Sequence, residues 1–134
     1  MNITTIGRSM QHDVDPKRQI ITEVGDTKHI QLFGTQVLVG IYKRPEKTKG
    51  GIILTPNAIA EDIYQSKVGL ILGLGPSAFV ETDGKWFGGL EISVGDWVIF
   101  RPSDGWQLGI GSRECRMLED ASIKGIVGAP DLVW

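Results

Sequence analysis

Most apolar residues after position 30 fall into six short runs, which glycine-rich or polar turns separate. The runs are rich in valine, isoleucine and aromatic residues, as is typical of β-strands. One of them, beginning at Val68, is almost continuously apolar up to Gly75-Pro76, which indicates a strand buried on both faces. Short strands at this spacing, with almost no helical periodicity, predict an all-β fold, a small β-barrel. The predicted strand segments are residues 36–42, 68–76, 92–100 with a turn at Gly95-Asp96, 106–110, 115–118 and 123–127.

The first 30 residues are polar and only loosely patterned. We predict an extended N-terminal arm here, with one strand at residues 19–24, lying on the domain or on a neighbour. The arm has too few apolar residues to fold by itself. The barrel domain is predicted at residues 31–128 and a C-terminal tail at 129–134. Asp83-Gly84 predicts a protruding hairpin, because this pair supplies the positive φ angles of a type I′ turn.

A long loop is predicted between the first two strands, and it contains an unusual apolar segment. Two glycines directly precede three large aliphatic residues, with charged segments on either side. A loop of this length in a small domain is usually functional or disordered, which favours a docking element on a tether. The alternative is a short core strand, which three consecutive apolar residues also fit. The segment is Gly50, Gly51, Ile52, Ile53, Leu54 and Thr55.

Composition narrows the class of protein. The chain has 134 residues, of which 41% are hydrophobic, 22% are charged and 18 are glycines, so it is a globular domain with many turns. The formal net charge of −2 gives no basic footprint for a nucleic acid. The single cysteine excludes an intramolecular disulfide, and neither a signal peptide nor a membrane-length apolar run is visible. We therefore expect a soluble intracellular protein with no nucleic-acid or membrane partner.

Candidate chemistry is sparse. Residues 73–78 fit a dinucleotide-binding fingerprint formally, but no helix is predicted after them, so they are interpreted as a strand-ending turn. His12 and His29 have no other ligand at suitable spacing, and Cys115 is interpreted as a small core residue. We expect no metal, no cofactor and no catalytic constellation. The four tryptophans lack the surrounding basic residues of a base-stacking platform; Trp97 is expected in the core and Trp134 against a neighbouring subunit.

From about Leu32 to Val127 the chain resembles the GroES-type co-chaperonin family. Four signals carry the resemblance in the family's order: the glycine-aliphatic segment 50–55, the strand and Gly-Pro turn at 69–76, the Val-Gly-Asp-Trp-Val-Ile-Phe segment at 94–100, and the closing segment 117–127. In that family the aliphatic triplet of a mobile loop inserts into a groove on the apical domain of a chaperonin.

The resemblance implies a non-enzymatic function. The chain would cap a chaperonin ring and assist protein folding in the cytoplasm, while the chaperonin hydrolyses ATP. It also implies a homo-oligomer, a heptameric ring, in which the Asp83-Gly84 hairpin forms the roof. The subunit contacts expected on this basis are Val37, Val39, Ile41, Ile123 and Ile126.

Three departures from the family pattern leave a second function open. Residues 1–30 and the tail after Gly128 have no counterpart in a minimal co-chaperonin, and residues 55–67 are longer and more hydrophobic than usual. Pro56, Ile59, Ile63 and Tyr64 would allow the loop to dock. The alternative is therefore a structural subunit on the same barrel, such as a decoration or cement protein of a viral capsid or another large shell, located in the virion. An enzyme is a distant third interpretation.

Overall fold

The computed structural model describes residues 14–43, 67–80 and 86–133. In this part of the chain one helix, α1 (Pro16–Val24), precedes six strands, all of them antiparallel to their neighbours. The strands occur where the sequence predicted them, which confirms an all-β domain. Short 3-10 turns lie at Asp120–Ser122 and Pro130–Leu132. The strands are β1 (Gln36–Ile41), β2 (Val68–Leu74), β3 (Trp97–Phe100), β4 (Trp106–Ile110), β5 (Arg113–Glu119) and β6 (Ile123–Val127).

One six-stranded sheet, in the order β4-β5-β1-β2-β3-β6, forms the body of the domain. Alternate residues of a strand face opposite sides of a sheet. Odd-numbered β1 residues such as Val37 and Val39 join an inner core that also includes Leu118 of β5 and Ile123 of β6. Because β5 and β6 are four positions apart in the sheet, the sheet must curl for them to share one cluster. The inner core comprises Val37, Val39, Ile41, Ile71, Val98, Phe100, Leu118 and Ile123.

The opposite face of the sheet is also apolar, and it forms an outer core. Even-numbered β1 residue Leu38 and the following Tyr42 belong to it, together with Ile20 of α1. The first four residues of β2 are all buried, as predicted from its continuous apolar run. Trp97 is 7% exposed in this outer core, which confirms its predicted core position. The outer core comprises Ile20, Val24, Leu32, Leu38, Tyr42, Val68, Leu70, Trp97 and Cys115.

Residues 19–24 are helical, so the strand predicted there is wrong, and residues 16–24 are not an extended arm. The start of α1 has strong local signals. The Asp15 side chain accepts a hydrogen bond from the Arg18 N–H at 3.2 Å, and Pro16 occupies the first turn. At its other end Gly25 adopts φ 76° and donates its N–H to the Ile21 carbonyl at 3.1 Å.

Burial on the sheet explains why this segment is a helix despite its β-branched residues. Ile20 and Val24 are one helical turn apart and both face the outer core, at 0% and 5% exposed. Gly40 of β1 creates the space for Ile20, because a Cβ at that position would lie 2.5 Å from the Ile20 Cγ2. In a strand, residues 20 and 24 would also share one face but would lie about 13 Å apart, whereas four residues of helix span only about 6 Å and bring both side chains to one part of the outer core.

Cys115 lies in the outer core, as predicted for a small core residue, and is 1% exposed. Burial raises the pKa of its thiol from 9.0 to about 11, and the nearby Arg113 charge offsets only part of this rise. Its contribution to stability is therefore present below pH 9 and is lost as the pH rises through about 11.

We expect the Cys115 thiol of the native protein to react far more slowly with iodoacetamide at pH 8 than the Cys115 thiol of the chain unfolded in concentrated urea. The reaction requires a thiolate that the reagent can reach, and burial disfavours both conditions. Mass spectrometry of quenched samples measures the two rates. Equal rates in the native and unfolded chains would contradict the buried position.

Candidate functional site

The predicted docking segment, Gly50 to Thr55, lies outside the described residues, as does the Asp83-Gly84 hairpin. The structure does describe the two chain ends between which residues 44–66 run. These ends are Lys43, which is exposed, and Lys67, which is partly buried. Residues 41–43 and 67–69, which flank this segment on either side, form the base of the site.

Backbone hydrogen bonds fix both sides of this base. The β1–β2 register continues to the pair Ile41–Gly69. Beyond it the Tyr42 N–H donates to the Val68 carbonyl at 3.1 Å. On the other side the Phe100 N–H of β3 donates to the Lys67 carbonyl at 2.9 Å. Residues 44–66 thus leave and re-enter the fold from two adjacent, hydrogen-bonded strands.

Side-chain packing under the base adds to this restraint. Tyr42 is 5% exposed and meets Trp97 edge to face, with ring centroids 5.9 Å apart. Tyr42 follows directly after β1, and Trp97 is the first residue of β3. The ring pair therefore ties the exit of β1 to a third strand.

A buried arginine reaches the same base from β5. The β1–β5 register ends at Gly40–Cys115, so the next β1 carbonyl, that of Ile41, has left the ladder. Arg113 Nη2 donates to the Ile41 carbonyl at 2.9 Å, and its Nη1 donates to the Glu23 carboxylate at 3.1 Å. Arg113 is 6% exposed. One guanidinium thus joins the end of α1 to the end of β1.

Sequence reasoning missed Glu23 and Arg113, although two signals for the helix packing were visible. Asp15 followed by Pro16 is a helix-start pattern. Gly40 inside a strand marks a place where another part of the chain approaches closely. The pairing of Glu23 with Arg113 has no sequence signal, because these residues are separated by 90 positions.

Four of the five predicted subunit-contact residues lie in the interior of the monomer. Val37 and Val39 are 0% exposed, Ile41 4% and Ile123 5%. Strand β1 also has neighbours on both sides, β5 and β2. The fifth residue, Ile126 of β6, is 42% exposed. In the described part of the chain β6 pairs only with β3, so it presents an open edge.

An aromatic cluster flanks residues 81–85, where the hairpin was predicted. Phe79 stacks on Trp86 with centroids 5.8 Å apart, and both rings contact Phe87 edge to face. Phe79 has an unusual φ of 58°, and its N–H donates to the Asp120 carboxylate at 3.0 Å. Three aromatic rings thus pack where the chain enters and leaves this region.

The described residues also bear on the nucleotide-binding, metal and membrane features considered from the sequence. Residues 73–78 form the end of β2 and the turn after it, where the Gly75 N–H donates to the Gln36 carbonyl at 2.8 Å. The prediction that these residues are a strand-ending turn is therefore confirmed. Within residues 14–43, 67–80 and 86–133, no group of three or more His, Cys, Asp or Glu side chains is placed to hold a metal. A membrane-spanning helix needs about 20 apolar residues, and none of the helices in those ranges qualifies.

Comparison with known proteins identifies the family. The model for the chaperonin 10 kDa subunit matches residues 29–127. The chain is similar to co-chaperonin GroES of Clostridioides difficile, with 31% identity over 99 residues that cover 74% of this chain and 98% of the relative. It is also similar to co-chaperonin GroES of Pelagibacter ubique, with 33% identity over 93 residues, 69% of this chain and 91% of the relative. The six-stranded domain described above, with residues 44–66 between its first two strands, belongs to the chaperonin 10 kDa subunit family.

Proposed function

We propose that this protein is a co-chaperonin that caps a chaperonin ring through residues Gly50 to Thr55 and thereby assists protein folding. The observation that carries the proposal is the family match over residues 29–127, which includes this segment and every strand of the sheet. Its relatives are named co-chaperonins. The chain itself is not the ATPase in this proposal, since nucleotide hydrolysis belongs to the partner. The cytoplasm is the location expected for this activity.

The energetics of the segment suit a reversible cap. Burying Ile52, Ile53 and Leu54 on a partner contributes about 5–9 kcal/mol in total, at about 1.5–3 kcal/mol for each side chain. Ordering the backbone costs about 1–2 kcal/mol per residue, so a single copy binds weakly. Several copies in one ring bind firmly together through their effective concentration, yet each copy can still release. Tyr42 and Val68 are already held by a backbone hydrogen bond, so the entropy cost of ordering the backbone falls on the residues between them.

The ring proposed here is a heptamer of this chain. Ile126 and the edge of β6, which pairs with no second strand among the described residues, support a contact between neighbouring subunits, because an unpaired edge strand readily accepts another strand. Val37, Val39, Ile41 and Ile123 would act indirectly, by shaping the inner core behind that edge.

The alternative function is that of a structural subunit of a capsid or other shell. One of the features that favoured it was an N-terminal arm, residues 1–30, that could reach a neighbouring subunit. Residues 16–24 instead pack on the sheet of their own chain, with Ile20 fully buried. We therefore place this alternative second.

Co-sedimentation with a double-ring chaperonin, with and without ATP, tests the proposal. We expect nucleotide-dependent binding of the native chain and loss of that binding in Ile53→Asp, because a carboxylate in an apolar groove is strongly unfavourable. Leu90→Asp is the matched control, since Leu90 is 62% exposed and lies outside the segment. That variant should bind like the native chain.

Three results would contradict the proposal in whole or in part. They are failure of the native chain to bind in either nucleotide state, equal binding by Ile53→Asp, and equal loss of binding in both variants. The first would favour the structural alternative. The second and third would show that the aliphatic segment is not the specific contact.

A further inference from the structure

A chain of polar contacts links helix α1 to the base of the proposed chaperonin-binding segment. The Glu23 carboxylate accepts from Arg113 Nη1 at 3.1 Å, and Arg113 Nη2 donates to the Ile41 carbonyl at 2.9 Å. Ile41 is the last residue of β1. The helix thus bonds, through Arg113, to the point where the chain leaves the sheet toward residues 44–66.

The end of α1 is held firmly enough to act as a support. The Ser112 N–H donates to the Glu23 carbonyl at 3.0 Å, which satisfies one of the free carbonyls at the helix end. Gly111 allows this approach, because a Cβ there would lie 2.2 Å from the Glu23 carbonyl oxygen. The backbone and the side chain of Glu23 are therefore both bonded to the start of β5 and the turn before it.

Glu23 supplies the carboxylate partner of the buried Arg113 guanidinium. The Arg113 side chain is only 5% exposed, whereas that of Glu23 is 28% exposed. A buried guanidinium without its carboxylate is unfavourable and tends to move toward water. Such a movement would leave the Ile41 carbonyl without its donor, and an unpaired buried carbonyl favours local opening of the strand end.

The support is an addition to the family domain. The family match begins at residue 29, and α1 ends at Val24. The contact from Glu23 therefore comes from a part of the chain that the match does not include.

We propose that α1 is a brace that orders the base of residues 44–66 through Glu23 and Arg113, and so increases the affinity of the segment for a chaperonin. The affinity part of this inference rests on the co-chaperonin function proposed above. A base that is already ordered lowers the conformational entropy that binding must overcome. Glu23 acts here as a positioning residue, since it touches the base only through Arg113.

Amide hydrogen exchange tests the brace without any partner. In Glu23→Ala we expect the Tyr42 amide, which donates to Val68, to exchange about two- to fivefold faster, the range for a partly exposed ion pair. The exchange of the Ile71 amide, which donates to the Asp96 carbonyl just before β3, should not change. Glu23→Gln keeps an acceptor oxygen and should restore part of the protection. Glu91→Ala removes an exposed carboxylate elsewhere and serves as the charge-matched control.

Binding to a double-ring chaperonin with ATP tests the affinity. A single subunit of Glu23→Ala should bind about two- to fivefold more weakly than the native subunit. The difference should be larger for a ring, because several subunits bind at once. Glu23→Gln should lie between them, and Glu91→Ala should match the native chain. This ranking together with the Tyr42 exchange result would support the brace.

The outcomes separate the two proposals. If the native chain does not bind a chaperonin, the proposed function and the affinity part of the inference both fail. Faster exchange of the Tyr42 amide in Glu23→Ala, with unchanged exchange of the Ile71 amide, would still support the ordering of the base by α1. If the native chain binds and Glu23→Ala binds equally well, the affinity part is overturned. Equal acceleration of Tyr42 and Ile71 would show a general loss of stability and would overturn the local role.

Discussion

Replacing Ile20 by alanine is expected to lower the free energy of unfolding by about 2–4 kcal/mol, which is a large part of the stability of a domain of this size. Ile20 is fully buried, and its Cγ2 fills the space above Gly40. Truncation leaves a cavity between α1 and the sheet, because the helix end, bonded to Ser112, and the paired strand β1 restrict the collapse that would close it. Equilibrium urea unfolding, followed by circular dichroism at a fixed protomer concentration, measures the change.

The neighbouring residue provides a matched control on the same helix. Ile21→Ala removes the same atoms as Ile20→Ala. Because Ile21 is 51% exposed, its side chain gains much less burial on folding than that of Ile20. Its effect should stay within about 0.5 kcal/mol, and the better helix propensity of alanine acts in its favour. Similar losses in both variants, or no loss in either, would refute the packing of α1 on the sheet.

Replacing Arg116 by alanine is expected to cost about 2–4 kcal/mol, because it removes a charged donor from the interior of the domain. Arg116 is 2% exposed and lies opposite Val39 in the β1–β5 register, on the inner-core face. Its Nη1 donates to the Pro102 carbonyl at 2.6 Å and to the Asp104 carbonyl at 3.4 Å. The guanidinium carbon also lies 5.4 Å from the centroid of the Phe100 ring. The variant loses these contacts and leaves the carbonyl of Pro102 without its donor.

Arg101 is the control for this second variant. Its side chain is 71% exposed and forms an ion pair with Asp104 at 3.1 Å. Arg101→Ala should cost at most about 1 kcal/mol, as is usual for an exposed pair. The same urea experiment compares the two. A smaller loss for Arg116→Ala than for Arg101→Ala would contradict the interior role of Arg116.

The two variants probe opposite faces of one sheet. Ile20 reports on the outer core, and Arg116 reports on the inner core near the turn that follows β3. Strand β1 is buried by both cores, which is why five of its six residues are buried. Anything that displaces α1 therefore exposes the strand that leads directly into the proposed chaperonin-binding segment.

Much of the strand layout was predictable because its signals are local. Strands β4 and β6 have the predicted bounds, residues 106–110 and 123–127, and β1 and β2 differ from their predictions only at their ends. Glycine-containing turns and β-branched runs mark these elements within a few residues of sequence. The family resemblance rested on the same local signals, and the match over residues 29–127 confirms it.

The helix was not predicted because its residues fit two periods. Ile20, Ile21 and Val24 are β-branched, and as a short set they are compatible with a strand as well as a helix. The deciding factor was the groove at Gly40, which accepts Ile20, while Val24 is buried in the same outer core one helical turn later. That groove exists only once β1 has its neighbours.

By itself the sequence determined the strand positions, the turns and the family, since each depends on residues that are close together in the chain. Only the tertiary structure decided which residues surround the base of residues 44–66. Arg113 lies 72 positions from Ile41 and 90 from Glu23, so no local pattern links them. The burial of Arg116 likewise depends on β1 beside it and on the carbonyls of the turn after β3. A buried charge is stable where the fold supplies its hydrogen-bond partners, and for Arg113 these partners come from segments far apart in the chain.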